Sequence, residues 1–591
     1  MTHEPDWRVS FRSVEIEEIG LPGSMTAKPA ERSNRNPNKQ RSATVQPASA
    51  GWLRWESIRG VGWYAAAFAA LCLLPFLGEA FHIDDPLFLW VAKQIGQHPL
   101  NPYGFSVVWY SNSMSMSEVM KNPPLASYFL AVVAHFTGWS ENAMHLAMLL
   151  PAMSAIFLTY GLAREMTRFP LLAACVTLAS PGYMVSATSV MCDVPMLALW
   201  LAAVIAWRKG IKEHRWWWLA ASGVLIAICA LTKYFGVCLI PLLLLYSVWE
   251  KRRIGSWVFF MLIPVVALFG YQIWTESLYG EGLLSGLGEY VQYAHDEHPL
   301  SAVASLLTAL SFVGGCILPA LAFLPSLWSR RTMILAICLA TTVFGAGALG
   351  WIGLGQEFPG QNRILLAVQF SIFILSGGSV LVLAISDFWS HRDADSALLA
   401  AWVGGTFVFT AFLNWTVNAR SILPMIPAAG LLIARRLEKG RVPSSIGRTV
   451  APLLACLVIS IWVTAGDAEL ANSMRTAARE VHKRGSEMSR RVLFSGHWGF
   501  QYYMESLDGI AIESSKTQPT ALDILVRPEN NTNQVSTDSP AFDSLLLKMR
   551  TGVSVMRAEK GAGFYSSKWG ILPYAFGPAP DERYDFYRFD R

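Results

Sequence analysis

Charge is scarce in this chain: Asp, Glu, Lys and Arg make up only 15% of its 591 residues, while 53% are hydrophobic. A soluble globule carries about 25% charged residues, so this balance excludes one and fits a polytopic membrane protein. Cysteine is also sparse. Of the 8, all but Cys192 lie inside apolar runs, Cys192 sits at the edge of one, and none follows residue 466. No disulfide framework and no Cys-based zinc site is indicated. The first fifty residues lack the apolar core of a signal peptide. They are polar, with Pro, Asn, Arg and Ser, and 1–55 reads as a disordered cytoplasmic tail. Walker A, Gly-rich dinucleotide and Gly-x-Ser-x-Gly sequences are missing, so nucleotide chemistry has no support. There is no internal repeat and no heptad pattern, and no nucleic-acid partner is expected.

What the chain does have is long apolar runs and aromatic rings, with 23 Trp and 31 Phe, the latter suited to membrane interfaces. Runs long enough to span recur near 61–80, 142–163, 169–188, 194–207, 216–231, 235–249, 256–274, 301–325, 332–354, 364–386, 397–413, 421–434 and 449–466. Hydropathy therefore predicts about thirteen transmembrane helices over 56–466. A further apolar stretch, Pro123 to Gly138, is decided by charge. Lys and Arg cluster at Arg164/Arg168, Arg208/Lys209/Lys212/Arg215, Lys251/Arg252/Arg253, Arg330/Arg331 and Arg435/Arg436/Lys439/Arg441. With the N terminus inside, all five are cytoplasmic only if 123–138 does not cross.

That parity makes 81–141 one long external loop. It holds two interfacial helices, after Pro86 and after Pro123-Pro124, where proline suits a first turn. A second external loop, near 275–300, carries Glu276, Glu281, Glu289, Asp296 and Glu297 and no Lys or Arg. The tail 467–591 then lies outside and reads as one small extracytoplasmic α/β domain. The predicted location is the cell (inner) membrane, multi-pass.

Because the external face is poor in basic residues, its exceptions stand out: Lys93 and Lys121 in the first loop, and Lys233, Arg363 and Arg420 at external helix ends. Any one of the last three is equally well a snorkelling anchor. Jointly, Lys233, Arg363 and Arg420 suggest an anion site, for which a lipid-linked phosphate is the natural ligand at that depth. Asp84 and Asp85 face the first loop, and Asp193 lies at the next external turn. Carboxylates at a bilayer boundary are costly unless they do chemistry, bind an ion or cap a helix. Asp85, just before Pro86, suits capping or a divalent metal. Asp84 and Asp193 suit catalysis, one as general base and one orienting the acceptor or holding a metal. His295 and His298, in a His-Asp-Glu-His run of the second loop, are further metal-ligand candidates at a spacing that also suits a solvated loop.

These residues resemble a known family. Asp84-Asp-Pro-Leu-Phe-Leu-Trp-Val-Ala-Lys is similar to the Asp-Glu-x-x-Tyr-x-x-x-Ala motif that opens the first external loop of GT-C glycosyltransferases. Asn122-Pro-Pro-Leu resembles the Lys-Pro-Pro-Leu segment of the branch with protein O-mannosyltransferases and lipid A aminoarabinose transferases. Met191-Cys-Asp-Val-Pro resembles that branch's second-loop Asp. Leu231-Thr-Lys-Tyr resembles its Leu-x-Lys-Gly, and Arg420-Ser-Ile-Leu-Pro its Arg-Tyr-Leu-Leu-Pro. The likeness runs in order over 60–470. Three departures are visible: Asp85 for Glu, Asn122 for Lys with Lys121 one place earlier, and Tyr234 for Gly.

The resemblance implies a GT-C fold and an inverting glycosyltransferase. Its donor would be a polyprenyl-phosphate-linked sugar, and its acceptor a hydroxyl of an envelope lipid, glycan or protein. Asp84 and Asp193 would be catalytic, and Lys233, Arg420, Arg363 and Lys121 would bind the donor phosphate. A divalent metal ion on Asp85, His295 and His298 would be the sole cofactor. The alternative is a transporter or flippase of lipid-linked sugars, which also wants external cations. It fits less well, since the unusual charges gather at one face.

Overall fold

The computed structural model describes residues 60–286 except Tyr110, 301–354, 361–439 and 447–589, with isolated residues 288 and 358 and short breaks at 514–516, 518, 533 and 537–539. The tail 1–55 and the His295–His298 run lie outside the described residues.

The chain is a multi-pass helical membrane protein with a sheet near its C terminus. Among the described residues, eight helices are long and apolar enough to cross a bilayer, against the thirteen spans expected. A ninth forms if Pro170–Leu178 and Pro181–Ala187, bent by 65°, count together. Proline causes that bend: Pro181 lacks an N–H and opens a new helix at its first turn. Shorter apolar helices run over Val61–Phe76, Leu125–Thr137, Trp216–Thr232 and Ala302–Cys316. The helix Arg330–Ala348 leaves Ile334, Leu335, Ile337 and Leu339 exposed, as a lipid-facing helix does.

Three of the five basic clusters converge on one end of the bundle through ion pairs. Arg208, fully buried, reaches Glu165 at 2.5 Å and Asp395 at 2.9 Å, and Lys212 joins Asp395 at 3.3 Å. Arg168 pairs with Glu438 at 3.3 Å, and Arg435 with Asp387 at 3.2 Å. The Arg436 Nε donates to the Leu327 carbonyl at 3.0 Å. Hence the segments around 165, 208, 327, 390 and 436 share an end, as the charge pattern requires. Five hydrophobic-run boundaries are thereby fixed by pairs that a shift of one helical turn would break.

At the other end, Asp85–Gln97 and Leu125–Thr137 form helices that pack together beneath a small antiparallel hairpin, Ser106–Trp109 with Asn112–Ser115. The last long helix, Gly447–Glu487, continues well past residue 466, where hydropathy falls. Ala, Arg, Glu and Lys are good helix formers, so loss of apolarity does not end the helix. A five-stranded sheet follows, in the order Ile510–Ala511, Arg491–Phe494, Asp523–Pro528, Glu582–Arg588, Asp543–Leu547. The first three strands are mutually parallel, and Glu582–Arg588 is antiparallel to both its neighbours. One apolar core runs from Val61 in the first helix to Phe586 in the sheet, so the C-terminal region is welded to the helices rather than tethered to them.

Arg208→Met leaves Glu165 without a cation and Asp395 with Lys212 alone. Breaking a buried pair in this way should cost about 3 kcal/mol. A lowered melting temperature, followed by tryptophan fluorescence in detergent, is the expected outcome.

Candidate active site

Four segments bring charged side chains together at the end opposite the basic clusters. Asp84 sits in the turn after the first helix, just before Asp85–Gln97. Asp193 opens the helix Asp193–Glu213. Lys233 ends the helix Trp216–Thr232, where the chain turns extended. Arg420 lies on the short helix Ala419–Ile422, capped by the Asn418 side chain.

The geometry is that of two facing ion pairs. Arg420 Nη1 donates to Asp84 Oδ2 at 2.8 Å, and Lys233 Nζ to Asp193 Oδ1 at 2.5 Å. The pairs adjoin, since both Asp84 and Asp193 act on the Arg420 guanidinium. Burial opposes its charge, but the two carboxylates override that and raise its pKa. Arg420 also donates to the Met191 sulfur at 3.1 Å and lies 5.6 Å from the centre of the Tyr565 ring. Asp84 keeps 29% of its side chain exposed, whereas Asp193 keeps 1%. A ligand can therefore reach Asp84 directly, while Asp193 is a buried brace for Lys233. Arg420 Nε and Asp193 Oδ2 are buried and make no hydrogen bond among the described residues, so each retains capacity for a ligand.

Asp85 does something the sequence did not suggest. It is buried, and it is the first residue of its helix rather than the cap. Oδ1 accepts the Val190 N–H at 2.7 Å, and Oδ2 the His82 N–H at 3.1 Å. Its carboxylate thus staples the first external turn to the turn that precedes Asp193, and both oxygens are engaged by the backbone. Between them Ile83 adopts φ +50°, a left-handed conformation that a β-branched residue rarely takes. The strained residue turns the chain so that His82 points inward and Asp84 towards Arg420.

Lys121 lies near Glu281 and Glu118, and burial lowers its pKa against their pull. Arg363 is tied to the C-terminal end of Arg330–Ala348, donating from Nε to the Gly347 carbonyl at 3.1 Å. That contact suits a helix-end anchor.

Beneath Asp84 lies a group that the sequence reading missed: Glu79, His82, Asp467 and Tyr565, all buried. Tyr565 donates to Asp467 Oδ2 at 2.7 Å, and His82 Nε2 meets the same oxygen at 3.1 Å. Burial pushes the Glu79 carboxyl well up, with His82 opposing and Asp467 and Asp85 adding. For Asp467 a sequence signal existed, a lone acid closing the last apolar run. Tyr565 gave none. The C-terminal region reaches the site through this tyrosine and through backbone bonds from Ala419 N to Phe564 O and from Ser567 N to Val417 O, both 2.8 Å. Gly499 lets the helix Trp498–Ser506 touch the first turn: a Cβ there would stand 2.1 Å from the Phe81 carbonyl.

Residues 121–274 match the family model described as dolichyl-phosphate-mannose-protein mannosyltransferase. That segment is one of a glycosyltransferase; it holds Lys121, Asp193 and Lys233, while Asp84 and Arg420 lie outside it. No curated protein matches the chain. Among solved structures, the chain is similar to ArnT from Cupriavidus metallidurans in the apo state, at 16% identity, over 79% of this chain and 93% of that one, with a TM-score of 0.39. It is also similar to the Archaeoglobus fulgidus oligosaccharyltransferase tethered by a disulfide to an acceptor peptide containing the NVT sequon. There the identity is 12%, coverage is 78% of this chain and 65% of that one, and the TM-score is 0.44.

Asp85→Ala removes the acceptor of two buried N–H groups, at a cost of roughly 2–4 kcal/mol. Faster amide hydrogen exchange in peptides spanning His82 and Val190 is expected, ahead of any change in the sheet.

Proposed function

We propose that this chain is an inverting glycosyltransferase of the GT-C type. It takes a sugar from a polyprenyl-phosphate donor and passes it to a hydroxyl of an envelope lipid, glycan or protein outside the cytoplasm. The observation that carries this reading is the quartet Asp84–Arg420 and Asp193–Lys233, which sets two cations beside a solvent-reachable carboxylate at the end opposite the basic clusters. The matched mannosyltransferase segment supports the same reaction class.

The chemistry follows from charge. A lipid phosphate keeps its tail in the bilayer and its headgroup at the boundary, where Lys233 and Arg420 can bind it. Anion binding by Arg420 would draw the guanidinium off Asp84 and free that carboxylate to meet the acceptor hydroxyl. Asp84 then takes the proton of the acceptor hydroxyl as its oxygen attacks the anomeric carbon. The bond from that carbon to the phosphate oxygen breaks, and its electron pair leaves on the phosphate. Lys233 and Arg420 stabilise the charge that grows there. Attack from the face opposite the leaving phosphate inverts the anomeric carbon. Asp193, bonded to Lys233, orients the ammonium. Arg363 and Lys121, outside the quartet, bear on the donor at longer range.

Asp84→Asn should abolish transfer, by 10²-fold or more, while the protein remains folded and still binds donor. Wild-type turnover in that variant would remove Asp84 from the reaction. Lys233→Ala should lower kcat/KM for the donor by roughly 10²-fold, and unchanged kinetics would leave Lys233 a membrane anchor only.

A further inference from the structure

The buried group beneath Asp84 carries an inference that does not depend on the reaction. Glu79 and Asp467 come from opposite ends of the chain and meet at His82, with one ligand atom from each of the three residues lying within 4.8 Å of the others. Donors around a single ion at bond lengths of about 2.0–2.4 Å stand at most about 4.8 Å apart. Both Glu79 oxygens, His82 Nδ1 and Asp467 Oδ1 are buried, and among the described residues none makes a hydrogen bond of ordinary geometry. Nδ1 faces Asp85 Oδ2 at 3.5 Å and Glu79 Oε1 at 4.0 Å. The nearby Thr188 hydroxyl donates to the Val185 carbonyl at 3.0 Å. Neither Lys nor Arg pairs with Glu79 or Asp467 among the described contacts.

Buried carboxylates without partners are costly, and a cation held among Glu79, His82 and Asp467 would offset the charge of both acids. We propose that Glu79, His82 and Asp467 bind one divalent cation, which locks the first external turn to the last long helix directly beneath Asp84. One imidazole with two carboxylates suits Zn²⁺ or Mn²⁺ better than Mg²⁺ or Ca²⁺, which favour all-oxygen sites. Tyr565, hydrogen-bonded to Asp467, is the outer partner that orients this ligand, and its ring also faces Arg420. The ion would be structural: it holds the turn that presents Asp84 and touches no substrate. These residues are distinct from Asp85, whose carboxylate is taken by backbone N–H groups.

The test is metal content of the full chain, purified in detergent without a polyhistidine tag and dialysed against metal-depleted buffer. Elemental mass spectrometry should find about one equivalent of Zn or Mn per chain. X-ray absorption at that metal's edge should show a nitrogen and oxygen shell without sulfur. Glu79→Gln and Asp467→Asn should each abolish retention, and Tyr565→Phe should weaken it by about tenfold with the ligands intact. A wild-type chain that holds no metal, as purified and after incubation with Zn²⁺ or Mn²⁺ alone, would overturn the proposal and leave a shared proton in its place. Equal metal in wild type and all three variants would overturn it too, by putting the ion elsewhere. The wild-type measurements stand even if a variant fails to fold.

Discussion

The Asp85 carboxylate, shared between the N–H groups of His82 and Val190, sets the relation between the two turns that carry Asp84 and Asp193. Everything at this end of the molecule depends on it. A side chain that accepts two buried backbone donors has almost no freedom, and a charged acceptor makes each bond stronger than a neutral one would. With the turns held, Ile83 can be kept at positive φ, and the strain there is borne by the contacts on either side. The neighbouring acids Asp84 and Asp85 therefore have opposite fates. One faces a guanidinium at the surface of the site, and the other is buried scaffold.

Charge is partitioned along the bundle in a way that makes both ends intelligible. At one end the cations are numerous and are neutralised by Glu165, Asp387, Asp395 and Glu438. At the other the cations are few, and two of them, Arg420 and Lys233, are paired with Asp84 and Asp193. On the proposed reading, a donor phosphate approaching Arg420 and Lys233 would replace one anion by another, so the cations are in place before it arrives. The C-terminal region completes this end from above, with Tyr565 reaching between Arg420 and the buried acids and the helix Trp498–Ser506 lying on Phe81. Core continuity from the first helix to the sheet explains how so small a region can be held in place.

Much of the fold was legible in the chain, because bilayer helices must be apolar and their loops must sort by charge. The helices after Pro86 and Pro123-Pro124, the gathering of the basic clusters and the sheet-forming tail are all visible from composition and spacing. Other features were not. The helix Gly447–Glu487 outlasts its apolar segment because helix propensity, unlike hydropathy, does not change at residue 466. The expected span 169–188 is divided into two helices where Pro181 opens a new first turn. The lone-cation argument named Lys233, Arg420 and Arg363 alike, and hydropathy could not say that the first two pair with carboxylates while Arg363 donates to the Gly347 carbonyl.

By itself the sequence determined which residues could be charged at the bilayer boundary, since every such charge is expensive and must have a use. It thereby determined the helical membrane architecture and the short set of acids and bases worth considering. Only the tertiary structure decided which acid meets which base: Asp84 with Arg420 across 336 positions, and Asp467 with His82 across 385. Pairings at that separation are set by helix packing and by the left-handed turn at Ile83, and no local pattern in the chain encodes them.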